Sequence, residues 1–232
     1  YQSAELSPER VIGIQRGNDN HFQITGDKGA SINAKHVILT FGYHDVYPDI
    51  PGFVDCWANT IIPCPFCDGY ENRDRVWAIV ASYEMEAQHF PKMVRNWTSD
   101  VKLILLPGVA IDSVYREELI TSGISVHEGE ITQIHHSDGK VEAVSLDTGE
   151  QIEVGTLLWT PPEKPSPLIQ ILVRNFGLEL DENNYIKTNE TQQTNVSGLW
   201  AAGDVQGGWS GALQAAYTSS TAAAMIVKDW YE

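Results

Sequence analysis

Residues 76–107 read VWAIVASYEMEAQHFPKMVRNWTSDVKLILLP, and their rhythm sets the fold class. VWAIVA at 76–81 is a continuous apolar run, VKLILLP at 101–107 is a second apolar run interrupted by Lys102, and 84–97 between them has the mixed pattern of a helix. Short apolar runs bounded by polar turns suit strands buried on both faces, and strand, helix, strand in close succession is the parallel βαβ unit. Downstream, ELITSG at 118–123 closes a second predicted helix and ISVHEG at 124–129 reads as a third strand. ITQIHH, KVEAVSL and QIEVGTLLWT follow, separated by Asp138-Gly139 and Thr148-Gly149, and are expected to form an antiparallel meander. Asp-Gly between alternating strands is a strong hairpin signal. His135 and His136, beside that turn, are expected to be solvated strand-end residues rather than ligands.

Outward from this block, two proline-rich stretches interrupt regular structure, DVYPDIPGF at 45–53 and TPPEKPSP at 160–167. Before the first, HFQITG, a turn at DKGA and AKHVILTFG predict a hairpin or meander feeding a buried strand. After the second, GLWAAGDV at 198–205 reads as a buried strand ending in Gly203-Asp204, and residues 211–230 as a helix rich in small side chains. The division expected is one body from 1–47 with 163–232 and an inserted, nucleotide-binding-like domain over 48–162.

The chain has 232 residues and a formal charge of −16, from 31 acidic and 15 basic side chains. Such a surface repels phosphate backbones, so nucleic acid is not expected as a partner. No apolar run reaches the length of a membrane span and no signal-peptide layout stands at Tyr1, so the expectation is a soluble, cytoplasmic protein without a membrane partner. Asn-x-Ser/Thr triplets at Asn96, Asn189 and Asn195 are patterns that recur by chance.

Two of the three cysteines lie in CPFCDGYE at 64–71. Cys64 and Cys67 have the spacing of a redox pair, in which one thiol is commonly held as thiolate at a helix N-terminus and the other closes a disulfide. Asp68, next in sequence, can move protons if burial raises its pKa. A tetrahedral zinc site would need Cys56 and a histidine as well, and no second pair of ligand spacing is present, so no metal is expected. Two buried, unreactive cysteines are the remaining alternative for the pair, and Cys56 alone reads as a core residue.

CPFCDGYE, GLWAAGDV and the helix after it, in this order, resemble the low-molecular-weight thioredoxin reductase family. Within that family the similarity is to fungal dithiol oxidases that close disulfides in secondary metabolites. The resemblance implies a two-domain, FAD/NAD(P)-binding type α/β fold with a split flavin domain. It also implies FAD as cofactor, a homodimer, and a small-molecule dithiol as substrate with oxygen as acceptor. It maps Cys67 onto the flavin partner, Cys64 onto the thiol that exchanges with substrate and Asp68 onto the acid/base. Asp204, after Gly203, maps onto the ligand of the ribityl hydroxyls; Gln214, Ala215 and Ala216 fall at the helix start that faces the flavin. His44 and Trp209 fall by family pattern near the substrate cleft.

Two departures stand beside the match. The Gly-x-Gly-x-x-Gly turn that cradles the FAD pyrophosphate is absent from this sequence, and the resemblance begins about a third of the way into the family pattern. The sequence therefore reads as a flavin domain lacking its N-terminal portion. After VWAI, the family's glycines are replaced by Val80, Ala81 and Ser82, with Glu84 and Glu86 following, so NADPH is not expected to bind. The alternative reading is a flavin-free relative whose groove serves a non-redox isomerisation or cyclisation, or no reaction.

Overall fold

The computed structural model of the chain describes residues 4–17, 21–208 and 211–231. Two compact units are present, one made of Tyr1–Asp45 with Glu163–Glu232 and the other of Val46–Pro162.

The first unit opens with an antiparallel meander of β1 (Val11–Arg16), β2 (Phe22–Gly26) and β3 (Ser31–Ala34). β1 is not apparent from sequence pattern, because Gly13 interrupts its alternation; the register with β2 shifts between Val11 and Gly13, as a bulge requires. β4 (Val37–Leu39) and β5 (Tyr43–Asp45) follow.

In the second unit, α1 (Phe53–Cys56), β6 (Ile61–Ile62) and α2 (Pro65–Asp68) lead to β7 (Trp77–Ala81). Then come α3 (Glu84–Met93), β8 (Val101–Leu105), α4 (Ser113–Thr121) and β9 (Ser125–Glu128). The chain continues through β10 (Ile131–Ser137), β11 (Lys140–Leu146), β12 (Gln151–Glu153) and β13 (Thr156–Leu158). A five-stranded sheet in the order β6-β13-β7-β8-β9 has every pairing parallel. Its side-chain alternation separates two cores. Trp77, Ile79 and Ala81 join Ala87 and Leu119 of α3 and α4 on one face, while Ala78 and Val80 join Ile134, Val144 and Ile152 of the meander on the other.

The meander itself is β10-β11-β12. QIEVGTLLWT is not one strand of it. The chain breaks at Gly155, where Gly155 N and Thr156 N both donate to Val76 O, and β13 then enters the parallel sheet between β6 and β7. Period-2 patterning cannot register that change of sheet, because Ile152 and Leu157 are both buried.

Asp138 (φ 50°) and Gly139 (φ 71°) form the two-residue turn between β10 and β11, the left-handed pair of a type I′ hairpin. A side chain at 139 would also stand 2.7 Å from Asp55 O. Buried Thr60 secures the tip by donating to Gly139 O and accepting from Val141 N at 3.0 Å. Gly139→Ala is expected to cost about 1–2 kcal/mol in urea unfolding, through backbone strain and this contact; an unchanged midpoint would contradict it. His135 and His136 are not solvated as expected. Both are half-buried, His135 Nε2 meets Ser145 Oγ at 2.8 Å, and His136 Nε2 lies 3.4 Å from Asp55 Oδ2.

α3 contains Pro91, which cannot supply the N–H that Ala87 O would receive. Tyr115 Oη of α4 lies beside this carbonyl, donating to Gln88 O at 2.6 Å with Ala87 O at 3.3 Å.

Back in the first unit, β14 (Glu163–Pro165) pairs antiparallel with β5. α5 (Pro167–Phe176) starts on Ser166, whose side chain accepts from Leu168 N, and has Pro167 at its first position. β15 (Leu199–Ala201) lies parallel to β4, and a 3₁₀ turn (Gly203–Gln206) leads to α6 (Ala212–Asp229). Among the described residues, no helix is long and apolar enough to cross a membrane.

Candidate active site

β6, buried on both faces, delivers the chain through Pro63 to Cys64. Cys64 is extended (φ −139°, ψ 117°) and caps α2, with Pro65 at the first helical position, where the ring's fixed φ suits the turn. Asp68 N and Cys67 N both approach Cys64 O, at 3.2 and 3.3 Å. That single turn brings the two sulfur atoms to 2.9 Å, both as free thiols. Phe66, between them, lies edge-on to Trp97 at 5.5 Å, and Trp97 stacks on buried Trp77 at 6.3 Å. The reactive turn is thereby fixed to the first strand of the βαβ unit.

Sequence spacing suggests a thiolate lowered by a helix end, but Cys67 behaves otherwise. Its thiol is pushed up to about 11, first by the hydrogen bond with Cys64, then by burial and by the charges of Cys64 and Asp68. α2 is only one turn long and offers little dipole. At Asp68, burial raises the carboxyl above the ordinary range, and Glu71 adds to the rise. Cys56 is fully buried among Phe53 and Ile61, as a core residue.

Sequence reasoning passed over Asn72. Buried at 3% exposure, it donates to Asp68 O at 3.0 Å and Asn59 O at 3.2 Å and accepts from Thr156 Oγ1. Trp77 Nε1 donates to its carbonyl at 2.8 Å. Asn72 thus fastens the end of the cysteine turn to β7 and β13, and its setting within ENRDR gives no hint of this.

The first unit assembles a second group. Gly203 has φ 75°, in the left-handed region that favours glycine. Gly203 N donates to Thr218 Oγ1 at 2.9 Å, a link to α6 that sequence pattern does not suggest. Asp204 is exposed in the 3₁₀ turn, and no hydrogen bond or ion pair engages its carboxylate among the described residues. Ala215 and Ala216, with Gln214, occupy the first turns of α6, and no acidic residue stands in its first turn. A free carboxylate suits a polyol, and the positive end of an 18-residue helix without a local acid suits the electron-rich edge of a flavin. The residues present therefore fit the ribityl and ring portions of FAD; a glycine turn for its pyrophosphate is not in the sequence.

His44 lies on β5 and lines a cavity of about 600 Å³ whose walls include Ile14, Val37, Leu39 and Leu168. Trp209 lies outside the described residues. Glu163, absent from the sequence reading, is raised by burial and then by Asp45 and Asp204, which places three carboxylates on this side of the unit.

Comparison with known proteins gives this geometry its context. Thioredoxin reductase aclD of Aspergillus oryzae is 26% identical over 216 residues, covering 88% of this chain and 67% of that protein. Thioredoxin reductase sirT of Leptosphaeria maculans is 27% identical over 207 residues, covering 84% and 62%. The chain thus spans roughly two thirds of the length of these relatives. A Bacillus anthracis structure described as a thioredoxin reductase, TrxB, is similar with a TM-score of 0.86 at 25% identity, over 100% of this chain and 76% of that one. Residues 100–223, just over half of the chain, match the family model for pyridine nucleotide-disulphide oxidoreductases, and the chain belongs to that family.

Proposed function

We propose that this protein oxidises a small-molecule dithiol to a disulfide, with the Cys64–Cys67 pair as the relay and oxygen as final acceptor. The observation that carries the reading is the pair of sulfur atoms at 2.9 Å beside a carboxyl raised by burial. Starting from the disulfide form of the pair, a substrate thiolate attacks Cys64 Sγ and the Cys64–Cys67 bond breaks. Asp68 supplies the proton that Cys67 Sγ takes up, and the high pKa of Cys67 retains it. The second substrate thiol then attacks the substrate sulfur bound to Cys64. The substrate disulfide forms, Cys64 leaves, and two electrons and two protons now reside on the pair. When bound, FAD supplies a two-electron acceptor that oxygen can reoxidise, giving peroxide. Asp204, Gly203 and the start of α6 would hold it. A homodimer in the cytoplasm is part of the same reading and rests on family resemblance.

A flavin-free relative with a repurposed groove is the second reading, for which the cavity of about 600 Å³ lined by His44 is the available pocket. A visible absorbance spectrum, taken after incubation with FAD and removal of the excess, separates the two. The proposed function predicts the two-banded absorption of bound oxidised flavin, with Asp204→Ala lowering FAD affinity about tenfold or more through loss of charge-assisted hydrogen bonds. A featureless spectrum would favour the second reading.

A further inference from the structure

The family name implies a pyridine dinucleotide, and the β7–α3 turn of the second unit is where a parallel βαβ unit presents one with backbone N–H groups and a helix N-terminus. Such a turn needs those N–H groups free and no fixed negative charge at the phosphate position. Here neither condition holds. Ser82 N donates to Glu86 Oε2 at 2.8 Å, and Tyr83 N approaches the same oxygen at 3.3 Å. Glu86 is not a surface charge that merely repels from a distance, as its place in the sequence suggests; it is 6% exposed. Burial raises its pKa while the two backbone donors lower it. Val80 and Ala81 are buried in the sheet, so the donors cannot be withdrawn without moving β7. Glu84 adds a second acid to the first turn, and the exposed side chain of Tyr83 stands at the cap.

We infer that the Glu86 carboxylate fills the phosphate position of the β7–α3 turn, making Glu86 the residue that excludes pyridine dinucleotides from this unit. The inference stands independently of the role assigned to the cysteine pair. The chain retains the sheet and helix of a dinucleotide unit but supplies the anion itself, so electrons enter from a source other than NADPH or NADH.

The test uses the full chain, with NADPH and inorganic pyrophosphate as probes, calorimetry for binding and the Ser82 and Tyr83 amide resonances for location. Wild type is expected to show no saturable NADPH binding at millimolar concentration and no pyrophosphate shift at either amide. Glu86→Ala, which frees both donors, is expected to bind pyrophosphate at least tenfold more tightly than wild type, with shifts at those two amides. Saturable NADPH binding to wild type with shifts at Ser82 and Tyr83 would overturn the inference, and this titration stands whether or not the variant folds. A folded Glu86→Ala protein whose two amides ignore pyrophosphate would overturn it as well.

Discussion

Cys67→Ser is expected to leave the protein folded and, on the proposed function, to end dithiol-driven oxygen consumption. Cys67 is exposed, and oxygen for sulfur removes no core contact, so the unfolding free energy should change by no more than about 0.5 kcal/mol. The chemical loss is of another order. Without the second sulfur, Cys64 cannot be returned to a disulfide within the chain, and a relay that has lost one member keeps only background exchange, a fall of roughly a thousandfold or more. Oxygen-electrode rates on FAD-incubated protein, with chemical denaturation in parallel, check both halves. A variant retaining wild-type rate would place the oxidation elsewhere.

The second large effect concerns reactivity rather than turnover. With its thiol near 11, Cys67 at pH 8 is thiolate in only about one molecule in a thousand, and its alkylation should rise nearly tenfold per pH unit well beyond pH 9. The leading cause of the rise is the hydrogen bond with Cys64. Cys64→Ala removes that bond and the neighbouring charge, so the Cys67 pKa should fall toward the ordinary cysteine range and alkylation at pH 8 should quicken about thirtyfold or more. Iodoacetamide labelling against pH, followed by peptide mass spectrometry to separate Cys67 from buried Cys56, reads the change. Equal rates in the two proteins would show that burial, not Cys64, controls the thiol. The same property bears on redox poise. A pair that keeps its protons is not stabilised as thiolate, so its reduced form readily yields electrons.

These features differ in how far local sequence determines them. VWAIVA throughout, and VKLILLP apart from Lys102, are apolar because both faces of β7 and β8 are covered, and that is visible in one dimension. Asp138-Gly139 is equally local, since two left-handed residues fix a turn whatever surrounds them. The peeling of β13 away from the meander was not legible, because burial on either sheet produces the same apolar letters. β1 was hidden by Gly13, and the half-burial of His135 and His136 depends on Ser145 and Asp55, partners distant in sequence. In the candidate site, the spacing of Cys64 and Cys67 is written in the chain, but the direction of the Cys67 pKa is set by the geometry of one short turn. Asn72 and Glu86 illustrate the same limit. One is an amide among charged neighbours and the other an acid on a helix, and only the folded chain turns them inward.

In the proposed function, electrons from a dithiol pass through this cysteine pair to a bound flavin. The most direct test of this transfer is an anaerobic titration of the FAD-incubated protein with dithiothreitol, followed by visible absorbance. The flavin bands are expected to bleach with about one equivalent of dithiol per chain and to return when air is admitted, while Cys67→Ser stays coloured. Bands that persist in the wild-type protein under excess dithiothreitol would contradict it.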